Sequence, residues 1–284
     1  MSQKRWVKKA SGKHELFSEN KLRSSLARSG ASREAIDRVI ERVKSEDREV
    51  YPTSRIFDHA YTLLKRDKKI VAMHYSLRRA VMELGPSGFL FEKFVGEILK
   101  AQGYEVKVGV IMQGACVEHE VDIFAKKNHR HIIVECKFHN EDGIRSDVKV
   151  ALYVRARFED LKKKCDTTVN HEDIHEGWLV TNTKLTSQAI AYGNCVGMKI
   201  IGWNYPQGGN LQDLIVASGV HPLTCLTTLN KKRKAVLFEN GIILCRDVEK
   251  RTDILRSLGM GEREIASVVT ESRLVHSGNF EIDL

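Results

Sequence analysis

The sequence predicts three parts: an α+β module over residues 1–85 built from a β-hairpin and a helical bundle, an α/β core over residues 86–218, and a small helical region over residues 219–284. Three observations predict this. The net charge of +9 is confined to the front, where residues 1–85 hold 20 Lys and Arg against 11 Asp and Glu, while the rest of the chain holds 26 against 26. Apolar spacing then switches repeatedly between helical and strand periods from residue 88 to 203, as in an α/β unit. Beyond 219 only the helical period remains. Pro86, between Gly85 and Gly88, marks the first boundary.

Composition narrows the class further. A chain that is 42% hydrophobic and 29% charged is an ordinary globular protein. No stretch approaches the roughly eighteen apolar residues of a membrane span, and MSQKRWVKK lacks an apolar signal core, so the expectation is a cytoplasmic protein with no membrane partner. Six cysteines at 116, 136, 165, 195, 225 and 245 include no CxxC. They read as small buried hydrophobes in a reducing compartment, and they point to neither a zinc site nor a disulfide framework.

In the first module, Arg5 to Lys9 and His14 to Phe17 read as short strands around an Ala-Ser-Gly-Lys turn. Ser18 caps a helix, Ser32 a second, Thr53 or Ser54 opens a third and Lys69 a fourth. Each helix carries an apolar stripe: Leu22 and Leu26; Ile36, Val39, Ile40 and Val43; Ile56, Ala60, Leu63 and Leu64; Val71, Tyr75, Leu77 and Val81. Lysines beside a Gly turn and a helix N-terminus suit an anion. Val7, Lys9, Gly12, Glu15, Phe17 and Lys21, with Thr53-Ser54-Arg55-Ile56 and Tyr75-Ser76-Leu77-Arg78-Arg79 later, make residues 4–85 resemble the ATP-cone, the nucleotide-binding module of ribonucleotide reductases and their repressor. The resemblance implies that Lys9 and Lys21 hold the triphosphate of ATP or dATP, that Val7 covers the adenine, and that Glu15 and Thr53 contact base or ribose, with Gly12 shaping the turn. One position departs: the family's Lys-Arg pair is Lys9-Ala10 here.

The core opens with Phe89 to Lys100, apolar at 91, 94, 95, 98 and 99, with Ser87 as the expected N-cap, Gly103 as the stop and Glu92 beside the apolar stripe. A strand, YEVKVGV, follows. Val121 to Ala125 and His131 to Phe138 then form a β-hairpin around KKNHR. Alternation puts Glu135 and Lys137 on one side of the sheet, with Asp122 on the partner strand. Two acids and a lysine on one rigid hairpin suit a hard divalent cation and a polarised water, the chemistry of phosphodiester hydrolysis. Asp122, Glu135 and the Cys136 carbonyl would hold Mg²⁺ or Mn²⁺, and Lys137 would orient or help deprotonate the attacking water and offset charge on the phosphate. Asp122 and Glu135-Cys136-Lys137, preceded by a helix bearing Glu92, resemble the PD-(D/E)xK nucleases of the Mrr-like restriction endonuclease branch, where the helical Glu assists the metal site.

Arg145 and, on a helix from Asp147 to Lys164, Lys149, Arg155, Arg157 and Lys162 to Lys164 read either as a track for a DNA backbone or as a wet helix face. Strand (Gly177 to Asn182), helix (Thr186 to Tyr192) and strand (Met198 to Trp203) complete the α/β core. His119, Glu120, His139 and Asn140 flank the metal site. In the last part, helices over Leu226 to Phe238, Arg246 to Leu258 and Glu262 to Val275 around a Gly241 turn resemble helix-hairpin-helix DNA-binding modules, with a single Gly where those have Gly-x-Gly. The expectation is a Mg²⁺-dependent DNA endonuclease, a homo-oligomer governed by an adenine nucleotide. The rival is a nucleotide-sensing DNA-binding protein that does not cut, and RNA as substrate stays open.

Overall fold

A computed structural model of the chain describes residues 5–9, 12–46, 49–141, 143–166 and 173–277. Ala10 and Ser11 of the first turn, and Asp142 after the Glu-x-Lys strand, lie outside them. The chain divides into two compact units, Met1–Arg79 and Ala80–Leu284.

In the first unit, β1 (Trp6–Lys8) pairs antiparallel with β2 (His14–Leu16). α1 (Glu19–Arg28) follows Ser18, whose side chain accepts from Lys21 N–H, and α2 (Arg33–Ser45) follows Ser32, which accepts from Ala35 N–H. Both are the caps that the spacing predicts. A strand not foreseen, β3 (Val50–Pro52), then lies parallel to β1 and makes the sheet order β2-β1-β3. At three residues it is too short to show alternation, and Pro52 is tolerated because β3 lies at the sheet's edge. α3 (Thr53–Asp67) and α4 (Lys69–Met82) start where expected. Eleven of the predicted stripe residues in this unit, Leu22, Val71 and Leu77 among them, are buried, and Leu63 and Tyr75 are half-buried.

The second unit is built on a five-stranded mixed sheet. α5 (Phe89–Ala101) precedes β4 (Glu105–Gln113), β5 (Glu118–Lys127) and β6 (Arg130–Lys137). The expected Ser87 cap is a correction: Gly88 holds the N-cap position and has no side chain to offer. Gly103 ends the helix as foreseen, in a left-handed conformation at φ 86. The β5–β6 hairpin turns on two residues, Asn128 and His129, both at positive φ, with Lys127 paired to Arg130. That is the primed turn whose twist matches the strands, and Asn tolerates it well.

Next come β7 (Arg145–Ser146), α6 (Val148–Asp166), β8 (Ile174–Thr181), β9 (Lys184–Leu185), α7 (Ser187–Cys195, capped by Thr186) and β10 (Lys199–Ile201). The sheet order is β10-β8-β6-β5-β4, parallel across β10, β8 and β6 and antiparallel across β6, β5 and β4; β7 and β9 form a separate parallel pair. The two faces bear different helices. Ile133 packs with Phe158 and Leu161 of α6. Gly96 of α5 lies over Val106 and Val108, and a Cβ there would stand 3.3 Å from both. Val108 pairs with Ile123, and Ile123 with Val134, so alternation places α5 and α6 on opposite faces.

The last part holds α8 (Leu211–Ser218), α9 (Lys231–Glu239), α10 (Thr252–Ser257) and α11 (Glu262–Ser277). The helix expected from Leu226 begins only at Lys231, where Asn230 caps it, and the one expected from Arg246 is a 3-10 turn over Cys245–Arg251 before α10. Buried Glu271 explains the delayed start: it accepts from Thr227 and Thr228 hydroxyls at 2.6 Å and from Thr228 N–H at 2.9 Å, holding that segment out of a helix. Arg246 joins this part to α5 through Glu97 at 3.0 Å.

Candidate active site

The site lies where β5 and β6 part. Their ladder is regular from Lys127↔Arg130 to Ile123↔Val134 and stops there. The next rung would unite Cys136 with Val121. Instead Cys136 N–H donates to Asp122 Oδ2 at 2.7 Å, so a carboxylate stands where a backbone carbonyl would be. In a strand the N–H and C=O of one residue point toward the same neighbour, so the Cys136 carbonyl also faces Asp122.

Glu135 is on the α6 face with Ile133, and its carboxylate pairs with Arg157 of α6; both side chains are largely buried. Lys137, two residues on, shares that face at the exposed end of β6. Glu92 approaches from α5, with its Oε1 so close to Gly88 that a Cβ there would stand 3.3 Å away. Burial pushes Glu135 up to about 7, with the Asp122 charge adding to it and Arg157 and Lys137 opposing. Burial, then Asp122 and Glu120, push Glu92 up to about 7 as well. Asp122 is also raised, first by burial, against the pull of the Cys136 N–H and Arg157. These groups therefore sense one another, and the cluster is short of positive charge.

Among the described residues, no group of three or more His, Cys, Asp and Glu side chains is closed up as a metal site. The reason is visible in the partners: Asp122 is engaged by Cys136 N–H and Glu135 by Arg157. The donor types nevertheless suit a hard cation, because Asp122 and Glu92 crowd negative charge onto Glu135.

The flanking residues divide differently from expectation. His119 Nε2 lies 2.8 Å from Asp160 Oδ2, and Asp160 also accepts from Cys116 N–H, which pins the β4–β5 connection. His139 meets Ser146 Oγ at 2.9 Å, while buried Asn182 grips the backbone of residue 139 twice, accepting from its N–H and donating to its C=O, each at 2.9 Å. Asn182 thus prolongs the β6–β8 pairing just past Lys137. Asn140 donates to the Pro86 carbonyl at 3.1 Å. Only Glu120 acts on the carboxylates directly. The basic row of α6 is partly used inside the fold: Arg157 pairs with Glu135, and Arg155 with Glu159 and the Val196 carbonyl. Sequence reasoning passed over Asn182, and it placed Arg157 among surface charges because nothing local links it to a residue 22 positions earlier.

In the first unit, Lys9 Nζ stands 2.7 Å and Lys21 Nζ 3.8 Å from Glu15 Oε2. Val7 is buried between partners Glu15 and Tyr51, Gly12 turns at φ 80 in open space, and Thr53 opens α3 directly after Pro52, the partner of Lys8. The six residues thus lie around one end of the small sheet.

Residues 85–207 match the restriction endonuclease family, and residues 221–275 match the family described as AF1548-like, C-terminal. A relative from Archaeoglobus fulgidus, described as an uncharacterized protein, is 34% identical over 182 residues, which is 64% of this chain and 99% of the relative. The chain belongs to the AF1548-like family. The crystal structure described as a protein of unknown function, AF1548, superposes at a TM-score of 0.55 with 32% identity, covering 68% of this AF1548-like chain and all of that one. A fainter likeness, TM-score 0.31 at 12% identity over 52% of this chain and 35% of the other, is to MspJI restriction endonuclease in complex with a 27-mer oligonucleotide. By the family match over residues 85–207, the second unit of this AF1548-like protein contains a restriction endonuclease domain of the PD-(D/E)xK type. No helix among the described residues is long and apolar enough to cross a membrane.

Proposed function

We propose that this AF1548-like protein is a Mg²⁺- or Mn²⁺-dependent DNA endonuclease whose activity is set by ATP or dATP bound to the first unit. The observation that supports the reading is the Cys136 N–H bond to Asp122 Oδ2 at 2.7 Å, which stands in place of a ladder rung on the strand that carries Glu135 and Lys137. Asp122, Glu135 and the Cys136 carbonyl would hold the cation, which would supply Lewis-acid polarisation of the phosphate and a more acidic water. Lys137 orients the attacking water and offsets charge on the phosphate. Glu92, poised near neutrality, accepts the proton that the water loses. The new P–O bond forms in line as the bond to the leaving sugar oxygen breaks, and that oxygen takes a proton from solvent.

The first unit supports the nucleotide half through the cluster of Lys9, Lys21 and Glu15. A triphosphate would draw the lysines off Glu15 and free that carboxylate for base or ribose. The nucleotide acts as an effector: by linkage it favours one homo-oligomeric assembly over another, and assemblies that present two sites to a duplex cut both strands.

A second reading, a DNA-binding nucleotide sensor that does not cut, is favoured by the Arg157–Glu135 pair, which satisfies the carboxylate without a metal. Supercoiled plasmid incubated with Mg²⁺, with and without ATP or dATP, decides between them. Nicking that Asp122→Ala and Lys137→Ala abolish is the expected result. No nicking in any condition, or equal nicking by the variants, removes the enzyme.

A further inference from the structure

Arg157 differs from every other basic residue of α6. Its side chain is 13% exposed and its partner Glu135 16%, so the pair is shielded from solvent screening. Its Nε–H is shut off from solvent and has no acceptor among the described residues. Its guanidinium lies 4.5 Å from the ring centroid of Tyr153, one helical turn back, and Tyr153 is 49% exposed. Lys149, Tyr153 and Arg157 recur at four-residue spacing, which makes a short track along α6 from solvent to Glu135.

One carboxylate cannot be neutralised by a guanidinium and bind a divalent cation through the same oxygens at full strength. We propose that Arg157 is the resting counter-ion of the site and exchanges with the cation: when the cation binds Glu135, the guanidinium withdraws along Tyr153 and turns its donors to a substrate phosphate. The inference rests on the nuclease reading above. It assigns the unmatched Nε–H an acceptor, since a planar guanidinium engages phosphate through paired N–H groups. It also makes cation and phosphate arrive together: the cation releases the arginine, and the arginine then favours substrate. No bond to Arg157 forms or breaks in the chemistry.

Titration calorimetry of Mn²⁺ into the full chain tests the exchange. Arg157→Gln is expected to bind Mn²⁺ about tenfold more tightly than the parent, because the competing charge is gone, and Asp122→Ala to lose binding. Equal or weaker Mn²⁺ binding by a folded Arg157→Gln overturns the exchange. Arg157→Lys, which keeps the charge and guards against misfolding, is expected to bind Mn²⁺ like the parent. Tighter binding by it also counts against the exchange. A second measurement reads the phosphate contact: affinity for a duplex oligonucleotide in Ca²⁺ or in EDTA. Arg157→Gln is expected to lose about tenfold in Ca²⁺ and nothing in EDTA, and equal losses in both overturn the movement. If the parent binds no Mn²⁺, the nuclease reading falls too. If it binds through Asp122 but Arg157→Gln binds no better, the exchange alone falls.

Discussion

Two buried ionisable side chains, one in each unit, are pushed toward neutrality by the same force and to opposite effect. His74 in the first unit is driven down to about 4 by burial, and Glu135 in the second is driven up to about 7. Burial alone accounts for His74, which lies in α4 among buried Val71, Met73 and Leu77. For Glu135 two neighbouring carboxylates, Asp122 and Glu92, add to burial, and two cations oppose it. An imidazole in an apolar helix face is a packing residue that stays neutral. A carboxylate held at the same disadvantage beside Asp122, Arg157 and Lys137 is a group kept ready for added positive charge. Perturbation by itself is therefore weak as a sign of function, and perturbation by named charges is stronger.

The largest effect expected is on chemistry. If the acid cluster is catalytic, Lys137→Ala and Asp122→Ala lower plasmid nicking by about a thousandfold, in the range that positioned proton-transfer and charged groups supply. His74→Gln should leave the rate per folded molecule unchanged. A plasmid assay normalised to folded protein checks both, and an intact Asp122→Ala rate erases the distinction between the two regions.

Next comes the opposed response to pH without metal. Glu135 has a folded pKa above its unfolded value, so the native state binds more protons between about pH 4.5 and 7, and stability falls as pH rises through that window. The loss is on the order of 3 kcal/mol for Glu135. His74 has a folded pKa below its unfolded value, so its region loses stability as pH falls from about 6.5 to 4, by a similar order of magnitude. His139, lowered by burial and by Lys137, works with His74 and blunts the slope of the second unit. Hydrogen exchange by segment from pH 5 to 8 should show 12–79 tightening and 89–137 loosening. Glu135→Gln should reduce the second trend and leave the share of Glu92, which burial also pushes up to about 7, and Mg²⁺ should restore protection at pH 8 more than at pH 5. Parallel slopes in both units would contradict the assignment.

Smaller effects fall on the first unit. Lys21→Ala should weaken ATP or dATP binding by about tenfold, since a charge-assisted phosphate contact contributes roughly 1.5–3 kcal/mol. Nucleotide titration measures it. The same change should cost less than about 1 kcal/mol of stability, because Lys21 is 72% exposed and its ion pair is screened. Thermal melts measure that.

Local signals made much of this legible. Ser18, Ser32 and Thr186 cap helices because a short hydroxyl preceding an apolar period is a local arrangement. Glu135 and Lys137 share a face because strands alternate. What could not be read depends on distant neighbours. β3 is a strand because β1 lies beside it. Leu226 to Asn230 stay out of a helix because Glu271, more than forty residues on, holds Thr227 and Thr228. Arg157 looked like surface charge because its partner comes from another element. At Ser87 two local signals competed, and Gly88 took the cap position with Glu92 close over it.

β6 belongs to two ladders, one closed to β5 by a two-residue turn and the other to β8 only after the whole of α6 has been laid down. Short closures form in microseconds and long crossovers more slowly, so the hairpin is expected to assemble first. During that interval Glu135 stands hydrated and ionised with no arginine beside it. Docking of α6 is then the step that dries the carboxylate, and pulse-labelled exchange during refolding should find β5 and β6 protected before β8.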